Sequence, residues 1–243
     1  MTEMTVGTFK EAKRKLGTGI SVGVWGRPKV GKSQFALTFP EPVFYIDLEN
    51  GISELLMQLR FKEKKVYVAN YQLSELGDLS LTAKESADIM KEVFANMKAA
   101  CAVGEGTIVV DTASRFWSLA QKVYLDDLEK QRQKAGKDIY PFDYGRVNFF
   151  FEQLLLFPRQ APNMSLVLVH RASEVYNEKG NVMPGQFKMQ AFKDTEYLVS
   201  VNVRLFKESG KFMAEIQSCR RKPELEWQRF ENMDFPTLKE LLG

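Results

Sequence analysis

The sequence is poor in the residues that form metal sites and disulfides. Its 243 residues include only two cysteines, Cys101 and Cys219, and one histidine, His170. The two cysteines form no disulfide framework and show no metal-ligand spacing, which suits a reducing compartment. With a single histidine to add, a zinc site is disfavoured as well.

Long apolar runs are also missing. No stretch approaches the roughly 18 apolar residues of a membrane span, and the N-terminal segment lacks the apolar centre of a signal peptide. There is no internal repeat, no low-complexity tract and no linker rich in proline, glycine or serine. We therefore expect a cytoplasmic protein with no membrane association and one main domain.

The composition that is present is ordinary for a globular protein. Hydrophobic residues make up 44% of the chain and charged residues 27%, and the net charge is +3. A chain of this length can bury the core of one large domain. The slight positive excess is compatible with a nucleic-acid partner but does not establish one.

Apolar runs alternate with segments of helical spacing through the first two thirds of the chain. Strands are predicted at 20–25, 43–48, 66–69, 107–110 and 166–169, and helices at 32–38, 84–100, 114–131 and 144–156. This alternation predicts an α/β fold with a mostly parallel central sheet flanked by helices.

The two ends of the chain follow other patterns. Three strands joined by short turns are predicted at 197–206, 211–219 and 225–230, which indicates antiparallel strands at one edge of the sheet. Thr8 and Glu11 form a capping-box pattern that predicts a short helix from about residue 9. The expected organisation is a short N-terminal helix extension at 1–18, a core at 19–232 and a C-terminal helix at 233–243.

One loop carries the strongest functional pattern. Gly26, Gly31, Lys32 and Ser33 complete the spacing G-x-x-x-x-G-K-S between a predicted strand and a predicted helix. In this pattern glycines let backbone N–H groups approach a phosphate, the lysine reaches the β- and γ-phosphates, and the serine hydroxyl binds Mg²⁺. The alternative is a chance glycine turn, which the flanking strand and helix disfavour.

ATP with Mg²⁺ is the expected ligand, although the loop reads phosphate and does not fix the base. The candidate nucleotide-binding residues are Gly26, Arg27, Pro28, Lys29, Val30, Gly31, Lys32, Ser33 and Gln34.

Polar residues at three predicted strand ends are candidates for catalysis alongside Lys32. Asp111 would hold Mg²⁺ together with Ser33, and the alternative is an ordinary turn residue. Thr112 stands where many ATPases with this loop carry a catalytic glutamate, so Glu49, just past another strand, is the candidate that activates the attacking water. His170 could hydrogen-bond the γ-phosphate. The alternatives are a solvated loop acid for Glu49 and a structural histidine for His170.

Three strand segments together resemble the core of the RecA family. The segment at 44–49, FYIDLE, resembles the strand that ends in the catalytic glutamate of that family, and IVVDT at 108–112 resembles its magnesium strand. LVLVHR at 166–171 resembles its sensor strand, although RecA itself carries glutamine where His170 stands. Over about residues 18–230 the chain is most similar to the phage family of short RecA-like nucleotide-binding proteins, whose studied members are ATP-dependent single-strand annealing recombinases. The resemblance implies a RecA-type P-loop NTPase core.

The resemblance also implies a basic element that acts between subunits. Arg220, Arg221 and Lys222 fall where RecA proteins carry basic fingers that reach the γ-phosphate bound by a neighbouring subunit. The alternative is a solvated basic turn before Pro223, and the pattern does not choose among the three side chains. A homo-oligomer, either a ring or a filament, is the expected assembly.

Two segments fall where RecA-like proteins carry their DNA-binding loops. The segment 129–146 interleaves cations with aromatic rings, and 171–193 adds further cations. Cations can follow a phosphate backbone while rings stack on bases. The alternative for the first segment is a solvated helix end with packing aromatics. The candidate DNA-binding residues are Lys130, Arg132, Lys134, Lys137, Tyr140, Phe142, Arg146, Arg171 and Lys188.

These patterns lead to two hypotheses. In the first, the chain is a DNA-dependent ATPase that acts on single-stranded DNA in phage-type recombination, with a single-strand-binding protein as a further candidate partner. In the second, it is a nucleotide-gated module that binds a protein and hydrolyses little. A small-molecule kinase is disfavoured, because an acid-bearing strand lies between the loop and Asp111 and no arginine-rich lid is evident.

Overall fold

A computed structural model describes residues 5–6, 9–10, 18–71, 81–134, 140–192 and 194–243. The strands are β1 Thr5–Val6, β2 Phe9–Lys10, β3 Ser21–Gly26, β4 Val43–Asp47, β5 Val66–Asn70, β6 Glu105–Asp111, β7 Asn163–Tyr176, β8 Val182–Gln190, β9 Val201–Glu208, β10 Lys211–Cys219 and β11 Arg229–Glu231. The helices are α1 Lys32–Ala36, α2 Ile52–Leu56, α3 Ala83–Val103, α4 Ala113–Lys134, α5 Gly145–Leu156, α6 Thr195–Leu198 and α7 Phe235–Leu242. Short 3₁₀ turns occur at Leu59–Phe61, Pro141–Tyr144, Pro158–Gln160 and Pro223–Leu225.

The strands from β3 to β11 form one nine-stranded sheet. Its order is β11-β10-β9-β3-β7-β6-β4-β5, and β8 pairs with the outer part of β7. The six strands from β9 to β5 run parallel, whereas β10 and β11 are antiparallel at one edge. The predicted α/β class, the mostly parallel sheet and its antiparallel edge are therefore confirmed.

Both faces of the central strands β3, β4 and β6, and of β7 up to His170, are buried, as expected for strands covered by helices on each side. On one face, Val167 and Val169 of β7 pack with Phe35 of α1 in a core that also includes α7. On the other face, Leu166 and Leu168 pack in a second core with α3, α4 and α5. We call these the loop face and the far face. Because side chains alternate along a strand, the position of a residue in this alternation decides which face it reaches.

Two helix ends show why the sequence folds as it does here. Thr82 caps α3, since its hydroxyl accepts a hydrogen bond from the Glu85 amide at 3.2 Å while the Glu85 carboxylate accepts one from the Thr82 amide at 2.7 Å. Asp234 caps α7 through its own side chain, and Pro236 lies in the first turn of that helix. The predicted C-terminal helix is thus observed.

The prediction of a helix opening near residue 9 is wrong at its first two positions. Phe9 and Lys10 form β2, which pairs antiparallel with β1. Residues 11–17 lie outside the described residues.

The segment after His170 also differs from its prediction. The sequence predicts a loop at 171–193, but β7 continues to Tyr176 and returns as β8. The turn is built by Asn177, whose side chain accepts hydrogen bonds from the amides of Lys179 and Asn181 at 3.0 Å each. We call β7 from Arg171 onward together with β8 the hairpin.

Smaller differences affect the last third of the chain. The strand predicted from residue 197 begins at Val201, because Thr195–Leu198 forms the short helix α6. The strand predicted from residue 225 begins at Arg229, after a 3₁₀ turn at Pro223–Leu225.

Candidate nucleotide-binding site

The predicted phosphate loop joins β3 to α1 and has the backbone form that its residues require. Lys29 and Gly31 adopt positive φ angles of 62° and 92°, which turn successive amides toward one side of the loop. Gly26 stands against β9, where a Cβ atom would lie 2.2 Å from the Leu205 carbonyl oxygen. Only glycine fits at that point, so the start of the loop is fixed against the sheet.

The Lys32 side chain folds back over the loop. Its Nζ donates hydrogen bonds to the carbonyl oxygens of Gly26 at 3.0 Å and Arg27 at 2.9 Å. Burial lowers the pKa of the Lys32 ammonium, while the carboxylates of Asp111 and Glu49 oppose this shift. The ammonium is therefore held at the loop beside two acids, where a phosphate group would meet it.

Asp111 is the centre of a buried cluster with Ser33 and Tyr45, which we call the Asp111 cluster. The Ser33 hydroxyl donates to Asp111 Oδ2 at 2.6 Å, and the Tyr45 hydroxyl donates to the same oxygen. Burial raises the pKa of Asp111, and these two hydrogen bonds oppose the rise. Burial also raises the pKa of Tyr45 well above its ordinary value, so the phenol stays protonated as a donor.

This donor set fits Mg²⁺. A serine hydroxyl and a carboxylate stand side by side at the loop, and hard oxygen ligands of this kind are those Mg²⁺ prefers. No group of three or more His, Cys, Asp or Glu side chains that could hold a metal ion occurs in the described ranges. An ion at Ser33 and Asp111 would therefore share its remaining positions with phosphate oxygens and water.

Glu49 lies at the same end of the parallel strands as Asp111, in a turn that the Asp47 side chain stabilises. The buried Asp47 carboxylate accepts hydrogen bonds from the amides of Glu49 and Ile52, at 3.0 Å each. Glu49 Oε1 accepts one hydrogen bond from the Thr112 hydroxyl at 3.0 Å and another from Arg171 Nε at 2.6 Å. We call Glu49, Thr112 and Arg171 the Glu49 cluster. Its ion pair is partly open to solvent, with side-chain exposures of 46% for Arg171 and 32% for Glu49.

The structure contradicts the prediction that His170 contacts the γ-phosphate. His170 shares the alternation of Leu168, so its ring lies on the far face, fully buried and 6.2 Å from the Phe151 ring centre. Burial lowers the pKa of His170 to about 3, although the nearby Gln190 backbone opposes the shift. Within the described part of the chain its ring nitrogens make no hydrogen bond of normal geometry. His170 is thus a neutral core residue, and the next residue of β7, Arg171, is the one that reaches the loop face.

The hairpin touches the phosphate loop at a second point. The Arg27 guanidinium lies 5.1 Å from the centre of the Phe187 ring of β8, a cation–π contact. At the base of the hairpin, the Ser114 hydroxyl donates to the Gln190 carbonyl at 2.5 Å and accepts from the Arg171 amide at 3.0 Å. Sequence reasoning missed these contacts, because each joins residues that are distant along the chain.

The predicted basic fingers lie far from the phosphate loop of their own chain. They follow β10, whose end pairs with the beginning of β9, and the Arg220 amide donates to the Ser200 carbonyl at 2.9 Å. Arg220 and Arg221 line a cavity with Gly19 and Ile20, which precede β3. The phosphate loop follows the end of β3, so the three basic residues lie at the opposite end of the strands from the loop. The three residues therefore do not belong to the site of their own subunit.

The DNA-binding candidates have mixed surroundings. Lys137 lies outside the described residues, as do the side chains of Lys130, Lys134 and Phe142. Arg132 donates to Asp143 at 2.7 Å and lies 5.1 Å from the Tyr140 ring centre, so an acid neutralises part of its charge. Arg146 is exposed at the start of α5, and Lys188 is exposed on β8. Arg171, predicted for DNA, is a partner of Glu49.

None of the described helices is both long and apolar enough to cross a membrane.

Comparison with known proteins places this chain in a family. No curated protein matches the chain in sequence. Among solved structures, the flagellar accessory protein FlaH from Methanocaldococcus jannaschii is similar at 14% sequence identity, over 86% of this chain and 82% of that chain, with a TM-score of 0.45. A family model described as an AAA domain matches residues 18–214, the stretch that holds the phosphate loop, the Asp111 cluster and the Glu49 cluster. The chain therefore belongs to this AAA domain family of P-loop ATPases.

Proposed function

We propose that the chain is an ATPase whose hydrolysis responds to single-stranded DNA bound along the hairpin, in recombination or annealing of the phage type. The observation that supports this most directly is the position of Arg171. This residue contacts the carboxylate of Glu49 and is also the first residue of the hairpin. A ligand on the hairpin would therefore act on the group proposed to activate water.

The loop binds the triphosphate of ATP in this proposal. Its amides and Lys32 hold the β- and γ-phosphates, and Ser33 and Asp111 hold Mg²⁺. The ion would neutralise phosphate charge during the reaction. Lys32 exchanges the carbonyl oxygens of Gly26 and Arg27 for phosphate oxygens, which is favourable because an ion pair replaces contacts with neutral acceptors.

Glu49 acts as the general base. It takes a proton from a water molecule whose oxygen attacks the γ-phosphorus, and the bond from that phosphorus to the β–γ bridging oxygen breaks, giving ADP and phosphate. Oε1 of Glu49 is taken by Thr112 and Arg171, which leaves Oε2 to receive the proton. Arg171 also holds the Glu49 carboxylate in one orientation, so its departure would free Glu49 to turn toward the attacking water and would raise the hydrolysis rate.

DNA would stimulate hydrolysis because its phosphates compete with Glu49 for the Arg171 guanidinium. The ion pair with Glu49 is partly exposed, and such pairs are worth only about 0–1 kcal/mol. A DNA phosphate on the hairpin, held also by the exposed Lys188, can therefore draw the guanidinium away. The Arg27–Phe187 contact would carry the same event to the phosphate loop.

The proposed active unit is a ring or filament. Arg220, Arg221 and Lys222 lie at the end of the strands opposite to their own loop, so any part they take in hydrolysis would be at the site of another subunit. A cation added there from a neighbour would stabilise negative charge in the transition state.

A second function is favoured by one observation, which is that Glu49 is already engaged. If Arg171 stays on Glu49 when ATP is bound, the chain would hydrolyse little and would serve as a nucleotide-gated module for a protein partner. Substitution of Glu49 separates the two functions, because only the ATPase loses turnover.

The test is the ATPase rate with and without single-stranded DNA, for the natural chain and for Lys32→Ala and Lys188→Ala. We expect DNA to raise the rate of the natural chain several-fold, Lys32→Ala to abolish hydrolysis, and Lys188→Ala to reduce only the stimulation. Lys98→Ala, at an exposed position of α3 on the far face, is the matched control and should behave as the natural chain does. A chain that hydrolyses ATP at a rate indifferent to DNA would contradict the DNA-dependent function and leave the ATPase standing.

A further inference from the structure

We propose that Phe212 forms the nucleobase subsite of this ATPase and that its ring stacks on a purine. This inference rests on the proposed ATP site, and it adds what the phosphate loop does not supply, namely recognition of the base. Phe212 is the second residue of β10 and stands at the mouth of the loop, where 39% of its surface is exposed.

The orientation of the triphosphate follows from the sheet order. β4 and β6, which carry Glu49 and Asp111 at their ends, lie on one side of β3, whereas β9 and β10 lie on the other. The γ-phosphate must face Glu49 and the Ser33–Asp111 pair. The α-phosphate, and with it the ribose and the base, would then extend from the loop toward β9 and β10. On that side, Phe212 of β10 lines the cavity at the loop.

Two cavities meet at this residue. A small one of about 260 Å³ lies at the loop itself, between Lys29, Ser33 and Phe212. A larger one of about 1290 Å³ runs from the loop along α1 to Asn232 and Asp234. Gly31, Gln34 and Phe212 line both, so a ligand seated in the first extends directly into the second. The larger cavity has ample room for a nucleoside.

The Phe212 ring is held in place by its neighbours. Its backbone pairs with Lys207 of β9 on one side, and its carbonyl accepts a hydrogen bond from the Asn232 amide at 2.9 Å on the other. The Lys207 ammonium lies 4.5 Å from the ring centre. The ring edge approaches Gly31, with its Cδ1 atom 3.7 Å from where a Cβ would stand. A ring fixed at the loop offers a stacking surface at little entropic cost.

The base edge would meet polar groups in the same cavity. Asn232 offers an amide with both donor and acceptor atoms. The Asp234 carboxylate also lines this cavity, but one of its oxygens already accepts a hydrogen bond as the cap of α7. The cavity sets no tight size limit, so the preference for a purine comes from the larger stacking area of its two fused rings.

The test compares two ligands that share the phosphates and differ in the base. Binding of ATP and of inorganic tripolyphosphate is measured by calorimetry with Mg²⁺, for the natural chain, Phe212→Ala and Phe212→Leu. Phe212→Leu retains apolar volume and removes the aromatic face. The control is Phe149→Ala, an exposed phenylalanine of α5 on the far face.

Both substitutions of Phe212 should weaken ATP binding about tenfold and leave tripolyphosphate binding unchanged, since stacking on an aromatic ring is worth roughly this much per base. CTP should bind the natural chain more weakly than ATP, and Phe149→Ala should change nothing. Equal loss for ATP and tripolyphosphate, or no loss for either, would overturn the subsite while the phosphate site stands. A natural chain that binds neither ligand would overturn the proposed ATP site and the subsite with it.

Discussion

The Asp111 cluster and the Glu49 cluster lie at the same end of the parallel strands, but they differ in burial and in the charge of their partners. Asp111 is 7% exposed and is held by two neutral hydroxyl donors, whereas Glu49 is partly exposed and is held by a hydroxyl and a cation. A buried carboxylate with neutral partners keeps its geometry and its affinity for a cation. An exposed ion pair exchanges partners at low cost. Under the proposed function, the comparison indicates that a magnesium site at Asp111 would be fixed by the fold, while Glu49, the proposed base, would be open to control.

Asp111→Asn tests the buried half of the comparison and should have the largest effect. The Asp111→Asn variant lacks the carboxylate that Mg²⁺ requires, so we expect the ATPase rate to fall about a thousandfold.

Without nucleotide the same variant should melt about 2 °C higher, because it removes a buried charge. Burial raises the pKa of Asp111, so this gain is complete above the raised pKa and is lost as the pH falls through it toward the ordinary range of an aspartate. Melting curves between pH 4 and 8 check the sign, and a less stable variant at pH 7 would contradict it.

Glu49→Gln removes the proposed base and retains the shape of the side chain. We expect hydrolysis to fall about a hundredfold while ATP binding persists, since the hydrogen bonds of the Glu49 carboxylate go to Thr112 and Arg171 and not to the phosphate loop. Rapid-quench and equilibrium binding measurements separate the two effects. Glu54→Gln, an exposed acid of α2, is the matched control. Unchanged turnover would mean that another group activates the water.

Arg171→Ala tests whether the exposed cluster restrains Glu49. Removal of the cation should raise the DNA-free rate a few-fold and reduce stimulation by DNA, with little change in melting temperature because the pair is partly exposed. Arg171→Lys should restore part of the restraint through its charge. Steady-state rates with and without DNA suffice. A lower DNA-free rate would show instead that Arg171 assists catalysis.

His170→Leu should have the smallest effect and sharpens the contrast with its neighbour. The two side chains have similar volume, and the neutral ring lies on the far face, so the rate should change less than about twofold. With a pKa of about 3, His170 also contributes no step to the pH–rate profile between about pH 5 and 8. Loss of a titration in that range in His170→Leu would refute the core assignment.

Much of the site could be predicted because its signals are local. The phosphate loop is a continuous pattern, and Asp111 and Glu49 each follow a recognisable strand. The prediction for His170 is wrong for a physical reason. β7 is apolar on both faces from Leu166 to Val169, so the sequence holds no contrast that shows which face His170 reaches. The alternation relative to Val167 and Val169, which pack beside α1, points to Arg171 once the faces are known.

The parts that escaped prediction depend on contacts between distant segments. The pairing of Glu49 with Thr112 and Arg171 joins three strands, and no spacing in the sequence encodes it. The hairpin had a local signal in Asn177 and Gly180, which are typical turn residues. Its strands, however, project past the sheet and alternate poorly, so the polar composition favoured a loop.

The placement of Arg220 to Lys222 at the end of the strands opposite to their own loop has a kinetic consequence. If each site borrows its last cation from a neighbour, a lone molecule lacks a complete site at any ATP concentration. The turnover per molecule would then rise with protein concentration and fall on dilution, even when ATP and DNA are saturating. The cell could regulate such an enzyme simply through the number of copies it makes.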